Sequence, residues 1–258
     1  MSSVSNPDLT RQHARGRFSE LLRVQFRLAL REPYQFAGLG LPIGLLVLFW
    51  YIGVLVPGGV ANTGLTVLDL YIPTVLVIAY ITLAMIGVPV TFARDREIGW
   101  LRRVSTTPIP PSRLLAAQLV LNFIIAVAAT AIVIVAGAAL FGAPLMVGIE
   151  FVGVAILSIV EMFSLGLLVA ALAPSQIGAQ AMAGGLVFPL FFLSGLWVQP
   201  VQVGGVLETI MYYSPSGAAV RALLYSSFNA TPPYTTILTM GVYTVLFAFI
   251  AVRFFRWE

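Results

Sequence analysis

Six long apolar runs organise this chain, at 35–56, 70–92, 114–141, 147–173, 178–198 and 235–254. Short polar stretches separate them. Each run is continuous, whereas the strands of a closed membrane barrel alternate over roughly 10 residues, so the runs predict helices. Each is long enough, at about 1.5 Å per residue, to cross ~30 Å of hydrocarbon. The third and fourth exceed that need and predict tilt. Ahead of the first run, residues 17–32 repeat apolar side chains at helical spacing. Phe18, Leu21, Leu22, Phe26, Ala29 and Leu30 fall on one side, and Glu20, Arg23, Arg27 and Arg31 fall largely on the other. That pattern predicts an amphipathic helix lying in the membrane interface. Pro33 ends it and turns the chain inward. Residues 1–16 are polar and read as a disordered cytoplasmic tail rather than a signal peptide, because no apolar segment follows directly.

One polar stretch differs from the rest. Residues 92–115, FARDREIGWLRRVSTTPIPPSRLL, form a charged island between the second and third apolar runs. It holds Arg94, Asp95, Arg96, Glu97, Arg102, Arg103 and Arg113. Charges at the bilayer centre cost several kcal/mol each, so the island belongs in water. Residues 94–104 can form a short helix, with Ile98, Leu101 and Val104 on one edge and charges on the others. Such a helix can dock its apolar edge in a partner's groove. Pro108, Pro110 and Pro111 forbid its continuation and make a rigid elbow. Ser112 can cap the next helix. A rigid elbow transmits a push, whereas a Gly/Ser linker would absorb it. The plainer reading of the island is a solvated loop carrying orientation charges.

Composition agrees with a membrane protein. Of 258 residues, 59% are hydrophobic and 9% are charged, and mean hydropathy is +0.98. A soluble domain carries about 25% charged residues. The fold class is therefore an all-α membrane protein with six transmembrane helices in a single domain over 17–258. All 14 basic residues are arginine. Six precede the first run, five lie at 94–113, and Arg253 and Arg256 lie at and just beyond the end of the last, so that only Arg221 falls elsewhere. Arginine is retained on the cytoplasmic face, which puts both termini and the island there. The 174–180 loop, PSQIGAQ, is uncharged and adds nothing to this bias.

The same counts remove several chemistries. Cysteine is absent, which excludes disulfides, thiolate metal sites and a cysteine nucleophile. The single histidine, His13, lies in the polar tail. Without lysine there is no Walker A loop, so nucleotide energy has to come from another chain. No metal site and no catalytic residues are expected. The net charge of +4 reflects membrane orientation and not nucleic-acid binding.

The island resembles the ABC-2 family of ABC-transporter membrane subunits, the exporter permeases that include daunorubicin-resistance permeases. The elements that carry the resemblance are Arg94-Asp95-Arg96-Glu97-Ile98-Gly99, then Leu101, Thr107-Pro108 and Leu114-Leu115, in order. Trp100 departs from the small hydroxyl residue common there. A second likeness lies in the external segment 199–233, whose residues 199–228 are too polar for a span and too apolar for a free loop, with Tyr212, Tyr213 and Ser214-Pro215. There the resemblance implies short helices dipping into the outer leaflet. Phe188-Pro189 through Ser194-Gly195 breaks the fifth run just before it.

The resemblance further implies a function. This chain would be the permease of an ATP-driven exporter in the cell membrane, moving an amphiphilic substrate such as a drug or antibiotic, a lipid or a lipid-linked glycan. Two ATPase subunits, carrying ATP and Mg, would dock on 94–104. Arg94, Asp95, Arg96, Glu97, Gly99, Leu101, Thr107 and Pro108 would make that coupling. A second permease, identical or homologous, would complete the complex in the lipid bilayer. The alternative is a secondary transporter driven by an ion gradient, which predicts more intramembrane charge and inverted repeats.

Few polar residues fall inside the runs. Glu161 lies near the middle of the fourth and must face other helices or water. It reads either as a polar point on a transport path or as a structural hydrogen-bonder with Ser158 or Ser164. Glu208, Tyr212 and Arg221 in the outer segment are candidates for a pathway or gate, and Glu208 can pair with Arg221. Asp69 and Glu150 fall near run ends. Pro42, Pro73, Pro89 and Pro189 favour kinks. Gly40 with Gly44, and Gly184-Gly185, favour close helix packing.

Overall fold

A computed structural model describes residues 33–55, 67–97, 111–143 and 148–254. The tail at 1–16, the amphipathic helix expected at 17–32 and residues 98–110, with Gly99, Leu101, Thr107 and Pro108, lie outside the described residues. Within them the chain is helical. The helices are α1 (Pro33–Leu55), α2 (Val67–Glu97), α3 (Pro111–Phe141), α4 (Ile149–Leu172) and α5 (Gln176–Leu193). Three short ones follow, α6 (Pro200–Val203), α7 (Gly205–Tyr213) and α8 (Pro215–Ser227), and α9 (Tyr234–Phe254) closes the chain. Five helices, α2, α4, α5, α9 and α3 over Ala116–Phe141, are long and apolar enough to cross a membrane. Helix α1 has 23 residues and is apolar over Gly40–Leu55.

The longest apolar helices take different depths. Helix α2 is apolar on every side, and such a helix is stable only when surrounded. It occupies the centre of the bundle, with 89% of its apolar stretch buried, against 17% for α5 and for α9. Ile72, Leu76, Tyr80, Leu83 and Met85 are fully enclosed. Helix α4 is the second layer and packs most extensively on α9. Phe49 of α1 stacks on Tyr71 of α2 with ring centroids 4.0 Å apart. The Tyr80 hydroxyl lies 2.7 Å from Thr130 Oγ1 on α3. Thr130 spends its own proton on the Ala126 carbonyl at 2.8 Å, which leaves Tyr80 to donate.

Proline and glycine decide the local geometry. Pro89 has no N–H for the carbonyl four residues back. Immediately before it, Leu83–Gly87 widens into a π-helical turn. At that turn α4 approaches so closely that a Cβ on Gly166 would fall on the Ala84 carbonyl. Helix α5 continues through Pro189 and stops at Leu193. The expected break therefore falls at Ser194-Gly195, where Gly195 takes φ +82°. Its N–H bonds the Phe192 carbonyl at 3.0 Å and that of Leu196 bonds the Phe191 carbonyl at 3.3 Å. This pair is the left-handed C-terminal closure that only glycine adopts without strain. Pro111 opens α3, so Ser112 lies within the first turn rather than at the cap. Proline suits that place because the first N–H has no helical partner anyway.

The second helix also overruns its expected end. It continues from the apolar run through Arg94, Asp95, Arg96 and Glu97 without interruption, because no proline or glycine follows Pro89 until Gly99. These four residues are continuous with α2, and the rest of the helix expected at 94–104 lies outside the described residues. Thirty-one residues span about 46 Å. The excess over ~30 Å of hydrocarbon carries the charges beyond it.

Substituting Gly166 by Ala is expected to destabilise the chain by about 1–3 kcal/mol, because two backbones would have to separate. Thermal unfolding in detergent, with Gly153→Ala as the control in open space, measures it. Equal midpoints for the two variants would contradict the packing described here.

Candidate functional site

Three polar features stand out of this apolar bundle, one at each end and one inside. At the first end α2 and α4 finish, α5 begins and α9 ends, and Arg96, Glu97, Ala171, Leu172, Ala173, Pro174 and Phe254 line a cleft of about 600 Å³. The last carbonyls of a helix and its first N–H groups lack partners within the helix. Arg96 Nη2 donates to the Ala170 carbonyl at 3.0 Å and to the Ala173 carbonyl at 2.7 Å. One residue on, Glu97 Oε1 accepts from the Gln176 N–H at 3.0 Å. A cation thus closes the negative end of α4, and an anion meets the positive start of α5. Ser175 caps α5, its Oγ accepting from the Gly178 N–H at 2.9 Å. Charge-assisted bonds of this kind are worth about 1.5–3 kcal/mol each when shielded and less in water. Together they form a clasp between the end of α2 and the α4–α5 corner.

Of the eight residues expected to couple to an ATPase, four are described. Arg96 and Glu97 are engaged within the chain by the clasp. Arg94 is 45% exposed and lies 3.9 Å from Asp95 Oδ1, a loose pair of adjacent residues. The 173–176 corner was not legible as a polar receptor. It is uncharged and supplies only backbone groups, and the sole signal for it is the Ser175 cap position at the head of an apolar run.

At the opposite end, α8 packs on the first part of α2, and α7 packs on α8. Ser214 caps α8, with Oγ accepting from the Gly217 N–H at 3.0 Å. Ser216 Oγ donates to the Leu190 carbonyl of α5 at 2.8 Å. Ala218, Ala219 and Ala222 are fully buried, which lets α8 lie close against its neighbours. This turn brings three of the expected outer residues together. The Arg221 guanidinium sits over the Tyr212 ring at 4.6 Å, and 6.0 Å from the Tyr225 ring. Burial first, and then the Glu208 carboxylate beside it, push the Tyr212 phenol above its usual value, while Arg221 pulls it down. Glu208 thus meets Arg221 through Tyr212. Among the described residues the two form no direct ion pair. Tyr212 and Arg221 border a cavity of about 490 Å³.

Glu161 stands apart from both ends. It is fully buried in α4, and neither carboxylate oxygen has a hydrogen-bond partner among the described residues. Ser158 and Ser164, its expected partners, bond back to their own helix, to the Val154 carbonyl at 2.9 Å and the Val160 carbonyl at 2.8 Å. It borders neither of the two spaces above. Among the described residues no group of three His, Asp or Glu side chains is placed to hold a metal. Asp69 is buried in the first turn of α2, where a carboxylate suits the positive end of the helix, and Glu150 is exposed in that of α4.

The model of the ABC-2 type transporter family matches residues 17–228. The match runs through the charged end of α2 and ends as α8 closes. No curated protein matches the chain.

Two outcomes follow from this geometry. Arg96→Gln is expected to destabilise the chain by about 2 kcal/mol, and Glu97→Gln to speed amide exchange at Gln176; exchange mass spectrometry over 170–178 checks both, and unchanged protection would dissolve the clasp. Glu161→Met keeps the volume and removes two unpartnered oxygens, so thermal stability should rise by about 1–3 kcal/mol; a fall would reveal a partner for the carboxylate.

Proposed function

As the chain belongs to the ABC-2 type transporter family, we propose that it is the six-span permease of an ATP-driven exporter. Permeases of this family are membrane transport subunits rather than enzymes, and they work with an ATPase subunit. In the proposed arrangement α1 is the first span, its 23 residues covering about 34 Å. Residues 17–32 lie in the interface, and both termini face the cytoplasm of the cell membrane. The segment 199–233 forms a re-entrant cover on the outside. Two ATPase subunits bind ATP and Mg and dock on residues 94–104. The second permease is a copy of this chain or a homologue. The substrate is amphiphilic and moves outward, and the chain itself holds no cofactor.

The observation that carries this reading is the continuity of α2. It runs unbroken from the most buried part of the bundle to its charged last turn. There Arg96 and Glu97 fasten it to α4 and α5. A force applied just beyond Glu97 would reach three helices at once and would not be lost in bending one. ATP binding closes the motor, the closing motion pushes Gly99, Leu101 and the Thr107-Pro108 elbow, and the helices tilt. Arg94 and Asp95 supply charge beside the docking edge.

Gly99→Pro and Leu101→Asp test the reading in the complex with its ATPase subunit. Each is expected to lower permease-dependent ATP hydrolysis and vesicle export roughly ten-fold, the equivalent of about 1.4 kcal/mol, while membrane insertion stays normal. Unchanged export in both variants would overturn coupling through this segment.

A further inference from the structure

The cavity at the α8 end has a composition that the transport reading leaves unused. It lies between the first turn of α2, the α5–α6 connection and the outer side of α8. At about 490 Å³ it falls within the ~300–1,000 Å³ of small-molecule sites. Most of the wall is apolar, with Leu70, Val220, Leu224 and Phe228 prominent, and Gln199 and Gln202 add amides. Among the described residues Arg221 is the one charged residue on it.

That arginine is only partly satisfied. It is half-buried, and its contacts within the described residues are the two tyrosine rings. Cation–π contact uses the flat face of the guanidinium. The five N–H donors lie along its edges and match the oxygens of a carboxylate or phosphate two at a time. Among the described residues no carboxylate lies within ion-pair distance of it. Glu208 reaches it only through Tyr212 and does not line the cavity. A partly desolvated guanidinium beside open space calls for an anion. The apolar remainder of the wall calls for hydrocarbon attached to that anion.

We propose that this cavity binds an anionic phospholipid, with the headgroup phosphate on the edge of Arg221 and the adjoining acyl chain against Leu70, Val220, Leu224 and Phe228. The tyrosines hold the guanidinium flat so that its edge faces the cavity. The inference goes beyond the transport reading and requires neither an ATPase nor a second permease.

The full chain in maltoside micelles, titrated with dihexanoyl phosphatidylglycerol and followed by native mass spectrometry, tests it. One lipid should bind per chain, at least ten-fold more tightly than dihexanoyl phosphatidylcholine. Arg221→Gln should weaken it about ten-fold and Arg221→Lys by less. Leu224→Trp, which fills the cavity and leaves the guanidinium, should abolish binding, and it reads the same site if Arg221→Gln does not fold. Equal affinity for the two lipids, or binding unaffected by Leu224→Trp, would overturn the proposal. Inorganic phosphate binding as tightly as the lipid would also overturn it, since the apolar wall would then contribute nothing. Because the ATPase is absent, a failed export assay leaves this result untouched.

Discussion

Hydrocarbon offers no hydrogen bonds, and the rest of this structure depends on that constraint. Within a span the helix satisfies its own backbone. At each end four N–H or four C=O groups remain, and the chain spends several of its scarce charged and hydroxyl side chains there. Arg96 serves the last carbonyls of α4. Glu97 and Ser175 serve the first amides of α5. Ser214 opens α8, and Gly195 lets the backbone close α5 on itself. In a chain with 9% charged residues, such placement ties neighbouring helix ends to one another. The ends become joints.

The centre of the bundle obeys a different rule. Lipid tails are as apolar as leucine, so helices gain little by merely hiding hydrophobic surface and must gain by fit. Helix α2 shows the outcome. It is enclosed along most of its length, and at Gly166 the neighbouring backbone meets its own without a side chain between. Tyr80 and Thr130 add one polar bond across helices in place of many. The peripheral helices α5 and α9, in contrast, leave most of their apolar stretch unpacked within the protomer.

The helices themselves were legible, because a continuous apolar run of this length has few other outcomes. The limits of α2 and α5 were not. Hydropathy ends the second run at Phe92, yet helix propagation ignores the change from apolar to charged residues and continues through Glu97. It places the end of the fifth run at Val198, yet Ser194-Gly195 stops the helix sooner. Arg96 and Glu97 were visible as important by their charge, but their partners were not. Those partners are backbone groups at 170–176, and backbone groups leave no trace in composition. Glu208, Tyr212 and Arg221 were singled out separately by residue type, and the α7–α8 turn supplies the distance that joins them. Glu161 was conspicuous in the sequence and gains no described partner in the structure.

The widened turn at Leu83–Gly87 has a consequence for phase. One residue of an α-helix is about 100° of rotation, and a π turn inserts roughly that much without lengthening the axis by a full step. Ile72 and Tyr80 above the turn, and Arg96 and Glu97 below it, are therefore set in azimuth by a wide turn between them. An ideal α-helix carrying this sequence could aim either pair correctly, but not both. The turn acts as an angular offset, and the direction in which the charged tip points is decided some three helical turns away from it.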